Sequence, residues 1–251
     1  MKDTRRAEME SFISQRQRVS MQELCDTFGV SMNTVRSDVA YLVKTGMVVK
    51  VYGGVQLRRQ TDVPLFETRS LLRTETKRRL ARAAAAEIDE GDILFIDAGT
   101  TTMYLLDYLD RDRRVTVVTP SMPVIQRAQE RPNVELIVLP GLYNRRTNAL
   151  LDGSTAEYLA HYQHTKAFLG VSSIAPDGAL GVSSYPEYEV KRTAVERSLR
   201  RYLLADSSKY GEAGLLPYGQ VDQCTCVFTD RDMPQAFLDL CRKTHTEVQV
   251  I

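Results

Sequence analysis

No stretch of this 251-residue chain approaches the ~20 consecutive apolar residues that a membrane span requires, and its amino end, from Met1 to Arg6, is charged rather than signal-like. Cysteine is scarce. The four copies, Cys25, Cys224, Cys226 and Cys241, are scattered, so they make neither a disulfide framework nor a paired CxxC metal site. Histidine is scarcer still: His161, His164 and His245 show no metal-ligand spacing with carboxylates or thiols, which favours surface roles for them and gives no metal site. Charge of one sign is lacking too, with a net of only +1. Internal repeats and low-complexity segments are absent. Together these absences exclude a membrane protein and a disulfide scaffold, and they fit a soluble chain in a reducing cytoplasm. Hydrophobic content of 43% leaves ample material for a core, and the length suits one small and one larger domain.

The near-neutral charge hides an asymmetry. Residues 1–60 hold ten Lys/Arg against six Asp/Glu, whereas the remainder holds 23 against 26. The basic part also carries the sharpest pattern. Ser20 and Glu23 are spaced as a capping box, Leu24, Cys25 and Phe28 form one apolar face, and Gly29 supplies a turn. Ser31 then caps a second helix whose Val35, Val39, Leu42 and Val43 face a core while polar residues front the other side. Val48 to Tyr52 alternates like a strand, Gly53-Gly54 turns it, and Val55 to Leu57 returns. This reads as a winged helix-turn-helix whose second helix enters the DNA major groove. The candidate DNA contacts are Ser31, Asn33, Thr34, Arg36 and Ser37 on the helix, with Lys50 and Tyr52 on the wing. The plainer alternative is a helical hairpin followed by a β-hairpin.

Residues 1–57 are expected to form this module. Residues 58–76 form a linker, marked by Pro64, and the start of a connecting helix that spans Phe66 to Ile88. Residues 77–251 then alternate between strand-like and helical runs. Strands are expected at Ile93–Ile96, Val115–Val118, Glu135–Leu139, Ala167–Val171, Tyr202–Leu204, Cys224–Phe228 and Val248–Ile251. Amphipathic helices are expected at Met103–Leu109, Met122–Gln129, Ala156–Tyr162 and Val190–Arg200. The fold class is α/β, a sheet covered by helices on both faces.

Ligands of such sheets bind where the strands end. The first strand runs into Asp97-Ala98-Gly99-Thr100-Thr101-Thr102 and then a helix, which suits an anion at the helix start. This loop has no lysine, so it is neither a Walker A loop nor a GxGxxG loop. Other strands end at Ser121, Gly141, Ser172-Ser173, Asp206 to Lys209 and Thr229-Asp230. Lys191 and Lys209 can supply point charges to a phosphate, and Asp97 can accept from sugar hydroxyls or hold a lysine. The effector candidates are therefore Asp97, Gly99, Thr100, Thr101, Thr102, Ser121, Gly141, Lys191 and Lys209. The ordinary alternatives are that Asp97 and the threonines cap a helix, that Lys191 lies on a solvated face, that Asp206 merely orients Lys209, and that Arg145 and Arg146 meet water.

The ordered motifs Val30–Asp38, Val51–Gly54, Asp97–Thr101, Val118-Thr119, Lys166–Gly170 and Leu204–Gly211 together resemble those of DeoR-type transcriptional regulators over nearly the full length. The resemblance implies an amino-terminal winged helix and a phosphosugar sensor related to the ribose-5-phosphate isomerase fold, in a repressor of sugar or polyol catabolism. Glu23–Cys25, Asn33–Arg36 and Tyr188–Lys191 are most similar to repressors of inositol catabolism, which implies a keto-deoxy-gluconate phosphate inducer. Two departures stand out. Arg36-Ser37-Asp38 replaces the usual Arg-Arg-Asp, and Thr119-Pro120-Ser121 with Pro140-Gly141 replaces the usual Thr-Asn-Ser and Gly-Gly.

The expected partners are double-stranded operator DNA, a phosphosugar effector and further copies of the chain, at least a dimer, with no cofactor and no membrane. An isomerase reading needs a general base, for which Glu187 or Glu189 are the candidates, but no base and orienting group assemble from the sequence, so no catalytic residue is assigned. A third reading makes the larger domain a purely structural oligomerisation unit.

Overall fold

The computed structural model describes residues 5, 6, 8, 9, 12, 13, 16, 18–44, 48–57 and 65–251. The chain divides into two compact units, Met1–Leu72 and Arg73–Ile251. Residues 58–64 of the expected linker lie outside the described residues.

The first unit contains β1 (Arg18–Ser20), α1 (Met21–Phe28), α2 (Met32–Lys44), β2 (Val48–Val51), β3 (Gly54–Leu57) and α3 (Phe66–Leu71). Ser20 caps α1, its hydroxyl accepting from the Glu23 amide at 3.0 Å. The expected box is only half formed, because the Glu23 carboxylate takes Arg16 at 3.1 Å instead of reaching back to Ser20. Gly29 ends α1 in the left-handed region at φ 61°, where a side chain would be strained. Met9, Ile13, Val19, Leu24, Val35, Val39, Leu42, Val48 and Val55 form the core. The strands lie in the order β1-β3-β2, all antiparallel, so the expected two-stranded wing gains a third strand.

The second unit is built on seven parallel strands in the order β15-β14-β12-β9-β4-β5-β6. These are β4 (Ile93–Ile96), β5 (Val115–Thr119), β6 (Val134–Val138), β9 (His164–Leu169), β12 (Ser198–Leu204), β14 (Cys226–Thr229) and β15 (Glu247–Val250). All seven strands expected from the sequence are present. Helix α4 (Thr74–Ala85) precedes β4, and α5 (Met122–Ala128), α6 (Gly153–Leu159), α7 (Tyr185–Glu196) and α8 (Gln235–Lys243) lie between the strands. Period-two alternation sends Phe95, Ala167, Leu169, Leu203 and Val227 to one face, where Val190, Ala194, Phe237 and Cys241 of α7 and α8 cover them. Phe168, Tyr202 and Phe228 face the other way, with Phe168 and Tyr202 stacked at 5.1 Å, and α4 packs on β12 and β14.

Several expected boundaries differ. The single helix expected from Phe66 to Ile88 is broken into α3 and α4 at Leu72 (φ −87°, ψ 135°) and Arg73 (φ 49°). The helix expected at Met103–Leu109 is a 3-10 turn, Thr102–Asp107, because Thr102 through Leu106 are all buried rather than arranged in one stripe. The helix expected to reach Arg200 stops at Glu196, since Ser198 and Arg200 pair with His164 and Lys166 of β9. Two small antiparallel elements were not legible. They are the hairpin β7 (Tyr143–Asn144) with β8 (Ala149–Leu150), and a sheet of β10 (Ser173–Ile174), β11 (Ala179–Val182) and β13 (Leu216–Gln220). His164 contradicts its expected surface role: it is fully buried, 5.8 Å from the Phe95 ring.

Candidate functional site

In the first unit, burial of Val35, Val39 and Leu42 turns the opposite side of α2 outward. Asn33, Arg36, Ser37 and Ala40 are exposed, and their spacing puts them on one helix face. Ser31 accepts from the Thr34 amide at 3.3 Å and lies 3.0 Å from the Thr34 hydroxyl, so both residues shape the helix start. Asp38 belongs to the inner side. It is fully buried and held by Arg5 at 2.7 Å and Arg6 at 2.9 Å, which fixes α2 against the amino-terminal residues. On the wing, Lys50 is exposed and Tyr52 is 100% exposed at the turn before Gly53. All of the sequence-predicted DNA residues thus lie on the surface or at its margin, with Thr34 partly covered.

In the second unit the chain leaves β4 outward to β5 and β6, then returns to place β9 on the other side of β4. The strand order thus reverses between β4 and β9, and the carboxyl end of the sheet at such a reversal is where doubly wound folds place their ligands. Asp97 lies at this point. Its Oδ2 accepts from the Gly170 amide at 2.9 Å and from the Lys191 ammonium. Lys191, brought in by α7, also donates to the Gly170 carbonyl at 2.8 Å and lies 5.2 Å from the centroid of the Tyr218 ring. The Tyr218 hydroxyl donates to the same carbonyl at 2.9 Å, and burial pushes its ionisation well above the usual phenol range. Lys191 is thus no solvated helix residue; it is 4% exposed.

The loop beside this pair is shaped by Thr102, whose hydroxyl donates to the Asp97 carbonyl at 2.8 Å and accepts from the Gly99 amide at 3.1 Å. A Cβ on Gly170 would lie 3.3 Å from Asp97 Oδ2 and 3.7 Å from the Gly99 Cα, so the loops after β4 and β9 pass close to one another here. Thr100 and Thr101 have neither an amide nor a hydroxyl partner among the described residues. Thr119 ties β5 to β4 by donating to the Ile96 carbonyl at 2.6 Å, and the buried Ser121 hydroxyl has no partner among the described residues.

Gly141 sits at φ 152° with the Thr155 hydroxyl and Leu151 amide where a Cβ would go, so it serves close packing after β6. Lys209 lies in a 3-10 turn after β12, beside Asp206. The rival bases are engaged in helix α7 itself: Glu187 accepts from the Ser184 hydroxyl at 2.7 Å, and Glu189 bonds Tyr185.

Sequence reasoning did not name Gly170, Tyr218 or Arg73 as site residues. Gly170 stood only within an expected strand and a family motif, with nothing to mark its amide and carbonyl as partners of the Asp97–Lys191 pair, and Tyr218 lies in a Pro-containing stretch with no strand alternation. Arg73 had no signal at all. Lys166 is a separate ion cluster, bonding Asp89 and Asp92 at 2.6 Å each, where it stitches β9 to the segment before β4.

Comparison with known proteins adds a family to this geometry. Residues 5–61 match the DeoR-like helix-turn-helix domain, and residues 72–231 match the DeoR C terminal sensor domain. The HTH-type transcriptional regulator IolR of Bacillus subtilis (strain 168) is 36% identical over 97% of both chains. The glycerol-3-phosphate regulon repressor of Escherichia coli (strain K12) is 27% identical over 95% of this chain and 94% of its own. Among solved structures, ribose 5-phosphate isomerase A from Methanocaldococcus jannaschii aligns with a TM-score of 0.41 at 15% identity, covering 55% of this chain and 54% of that one.

Proposed function

As this chain belongs to the DeoR family of transcriptional regulators, we propose that it represses a sugar or polyol catabolic operon and leaves its operator when a phosphorylated sugar intermediate occupies the second unit. It acts in the cytoplasm as at least a dimer, since operators read by such modules are repeated and a symmetric protein matches them. Among the described residues no helix is long and apolar enough to cross a membrane.

The observation that carries the effector reading is the Asp97–Lys191 pair beside Thr100 and Thr101. An unpaired carboxylate at this strand end would repel a phosphate. With its charge met by Lys191, the adjacent amides and hydroxyls of Thr100 and Thr101 can take phosphate oxygens. The lysine spends two of its three donors on Asp97 and Gly170, which leaves one for a sugar oxygen. Lys209 supplies charge from the neighbouring strand end, and Ser121 a hydroxyl. On the DNA side, Asn33, Arg36 and Ser37 read the major groove while Lys50 and Tyr52 reach the backbone.

The ligand must favour the DNA-incompetent form, or binding shifts nothing. The test is operator selection from the protein's own genome, followed by release with a panel of sugar phosphates. Release by one compound that is recovered chemically unchanged supports a regulator rather than an enzyme. Turnover of the compound, or failure to select DNA, overturns the proposal.

A further inference from the structure

The two edges of the seven-stranded sheet are not finished alike. At one edge β15 alternates polar and apolar residues, Glu247 and Gln249 with Val248 and Val250. At the other, β6 reads Val134-Glu135-Leu136-Ile137-Val138, with a single charge near its start and no proline. It pairs with β5 in an unbroken register over its whole length, so no bulge turns it away. Open edges of natural sheets are ordinarily blunted by lysine, proline or a bulge, because unpaired backbone groups there recruit a further strand. β6 carries none of these devices.

The open groups can be named. The Val115 amide donates to the Asn133 carbonyl at 3.1 Å, and the Leu139 amide to the Thr119 carbonyl at 3.0 Å. The backbone of Asn133 and Leu139 thus faces β5, and by alternation so does that of Glu135 and Ile137. Leu136 and Val138 point their N–H and C=O groups the other way, where no strand pairs with β6 among the described residues. Apolar surface continues past the strand. Val138 is 41% exposed, and Leu142 and Tyr143, in the segment that follows, are 73% and 55% exposed. Charge differs from end to end: the exposed Glu130 and Glu135 mark the amino end of β6, and the exposed Arg145 follows its carboxyl end.

We propose that β6 is the surface through which two copies of this chain pair, antiparallel and edge to edge, so that their two sheets become one. The charges select this occupant, because antiparallel pairing about a two-fold axis sets the acidic end of each strand toward the Arg145 end of the other. With the axis at Ile137, Leu136 of each copy lies opposite Val138 of the other, and every outward group at both residues is used in four backbone hydrogen bonds. The two Ile137 side chains then face each other in a non-hydrogen-bonded pair. Moving the axis to Leu136 or Val138 leaves a carbonyl open on each copy. The dimer inferred above from operator symmetry thereby gains a surface, and that surface lies wholly within the second unit.

Sedimentation of the full chain without DNA reads the pairing directly, and the wild type should run as at least a dimer. Val138→Pro deletes an outward N–H while sparing every bond to β5, a change that an edge strand tolerates. It removes two of the four hydrogen bonds, so the dissociation constant should rise about 30-fold or more, with the melting transition of the second unit kept. Val138→Thr keeps the N–H and the branched shape and should pair as the wild type does. The register is read with cysteine. Ile137→Cys should give a disulfide-linked dimer under mild oxidation, because residues opposite each other at the axis come within disulfide reach, whereas Leu136→Cys should stay unlinked. A monomeric wild type, a Val138→Pro chain that dimerises as tightly as the wild type, or an Ile137→Cys chain that fails to link overturns the proposal. The functional reading fails in a different measurement, when the protein selects no operator DNA.

Discussion

Lys191 donates to the carboxylate of Asp97, 94 residues earlier in the chain, and the two side chains are each 5% exposed. A buried pair of this kind is costly to break from one side. Lys191→Met strands an anion with the Gly170 amide as its remaining donor, and Asp97→Leu strands an ammonium on a carbonyl. Each single variant should lose about 3–5 kcal/mol, whereas Lys191→Met/Asp97→Leu should lose less than either. Urea unfolding of the four proteins measures the cycle. Additive losses would show that the two charges do not depend on each other.

The exposed face of α2 makes a different kind of prediction. Arg36 lies on the same face as Asn33, Ser37 and Ala40, opposite the buried Val35 and Val39. Arg36→Ala should weaken operator binding, and if the guanidinium meets a phosphate the salt slope should fall by about one. A loss confined to one base position, with the slope unchanged, would assign Arg36 to a base edge. Ser37→Arg should steepen the slope by a similar amount and raise affinity for unrelated DNA. Binding indifferent to both substitutions would remove this face from the interface.

What was legible in the sequence followed periodicity. The strands of the seven-stranded sheet announced themselves by short runs rich in apolar residues, most cleanly at Ile93–Ile96 in the middle of the sheet, because a parallel strand covered on both faces is apolar throughout, whereas the edge strand Glu247–Val250 keeps two polar residues. The site was legible in its parts and not in its pairing. Asp97 to Thr102 stood out as a strand running into small polar residues, and Lys191 was a candidate, but a lysine on an amphipathic helix fits a solvated face equally well. Only the packing of α7 over β9 and β12 brings it to Asp97. The break at Arg73 was invisible for a related reason. No glycine or proline marks residues 66–88, and the left-handed arginine is held by Ser207, 134 residues away. The β10-β11-β13 sheet was hidden by two-residue length in β10 and by Pro217 in β13. His164 looked like a surface residue because nothing near it in sequence says that Ser198 and Phe95 enclose it.

Gly54 tests the wing. A Cβ built there would lie 2.2 Å from the Val19 carbonyl oxygen and 2.9 Å from the Ser20 Cα, both backbone atoms that cannot rotate away. Gly54→Ala should therefore separate β3 from β1, where Ser20 pairs with Gly54 and Val19 with Val55. A loss of about 1–3 kcal/mol is expected in the first unit, as for other overpacked sites. Calorimetry should show one transition lowered and the other kept, with operator binding weakened and phosphosugar binding intact. If the variant melts and binds DNA as the wild type does, the close passage of β1 over β3 is wrong.

The last prediction concerns pH and rests on His164. The ring is fully buried, its Nε2 has no partner among the described residues, and its Nδ1 is 3.5 Å from the Ser198 hydroxyl, too far for a strong bond. Burial pushes its pKa down to about 4, against a smaller opposing contribution from the Arg197 backbone contact. The unfolded chain takes up a proton near the ordinary histidine value of about 6.5, and the folded chain resists until about 4. Between those values the unfolded state binds more protons, so stability must fall as pH falls through this window. The loss approaches about 3 kcal/mol if the whole shift is expressed. Asp206, held below the ordinary carboxylate range, releases its contribution only at lower pH and does not blur the window. Thermal melts at intervals from pH 7 to pH 4 should show a progressive decline in the second unit, and His164→Leu should flatten it. A wild-type profile already flat above pH 4.5 would mean that the ring reaches solvent or a partner when protonated.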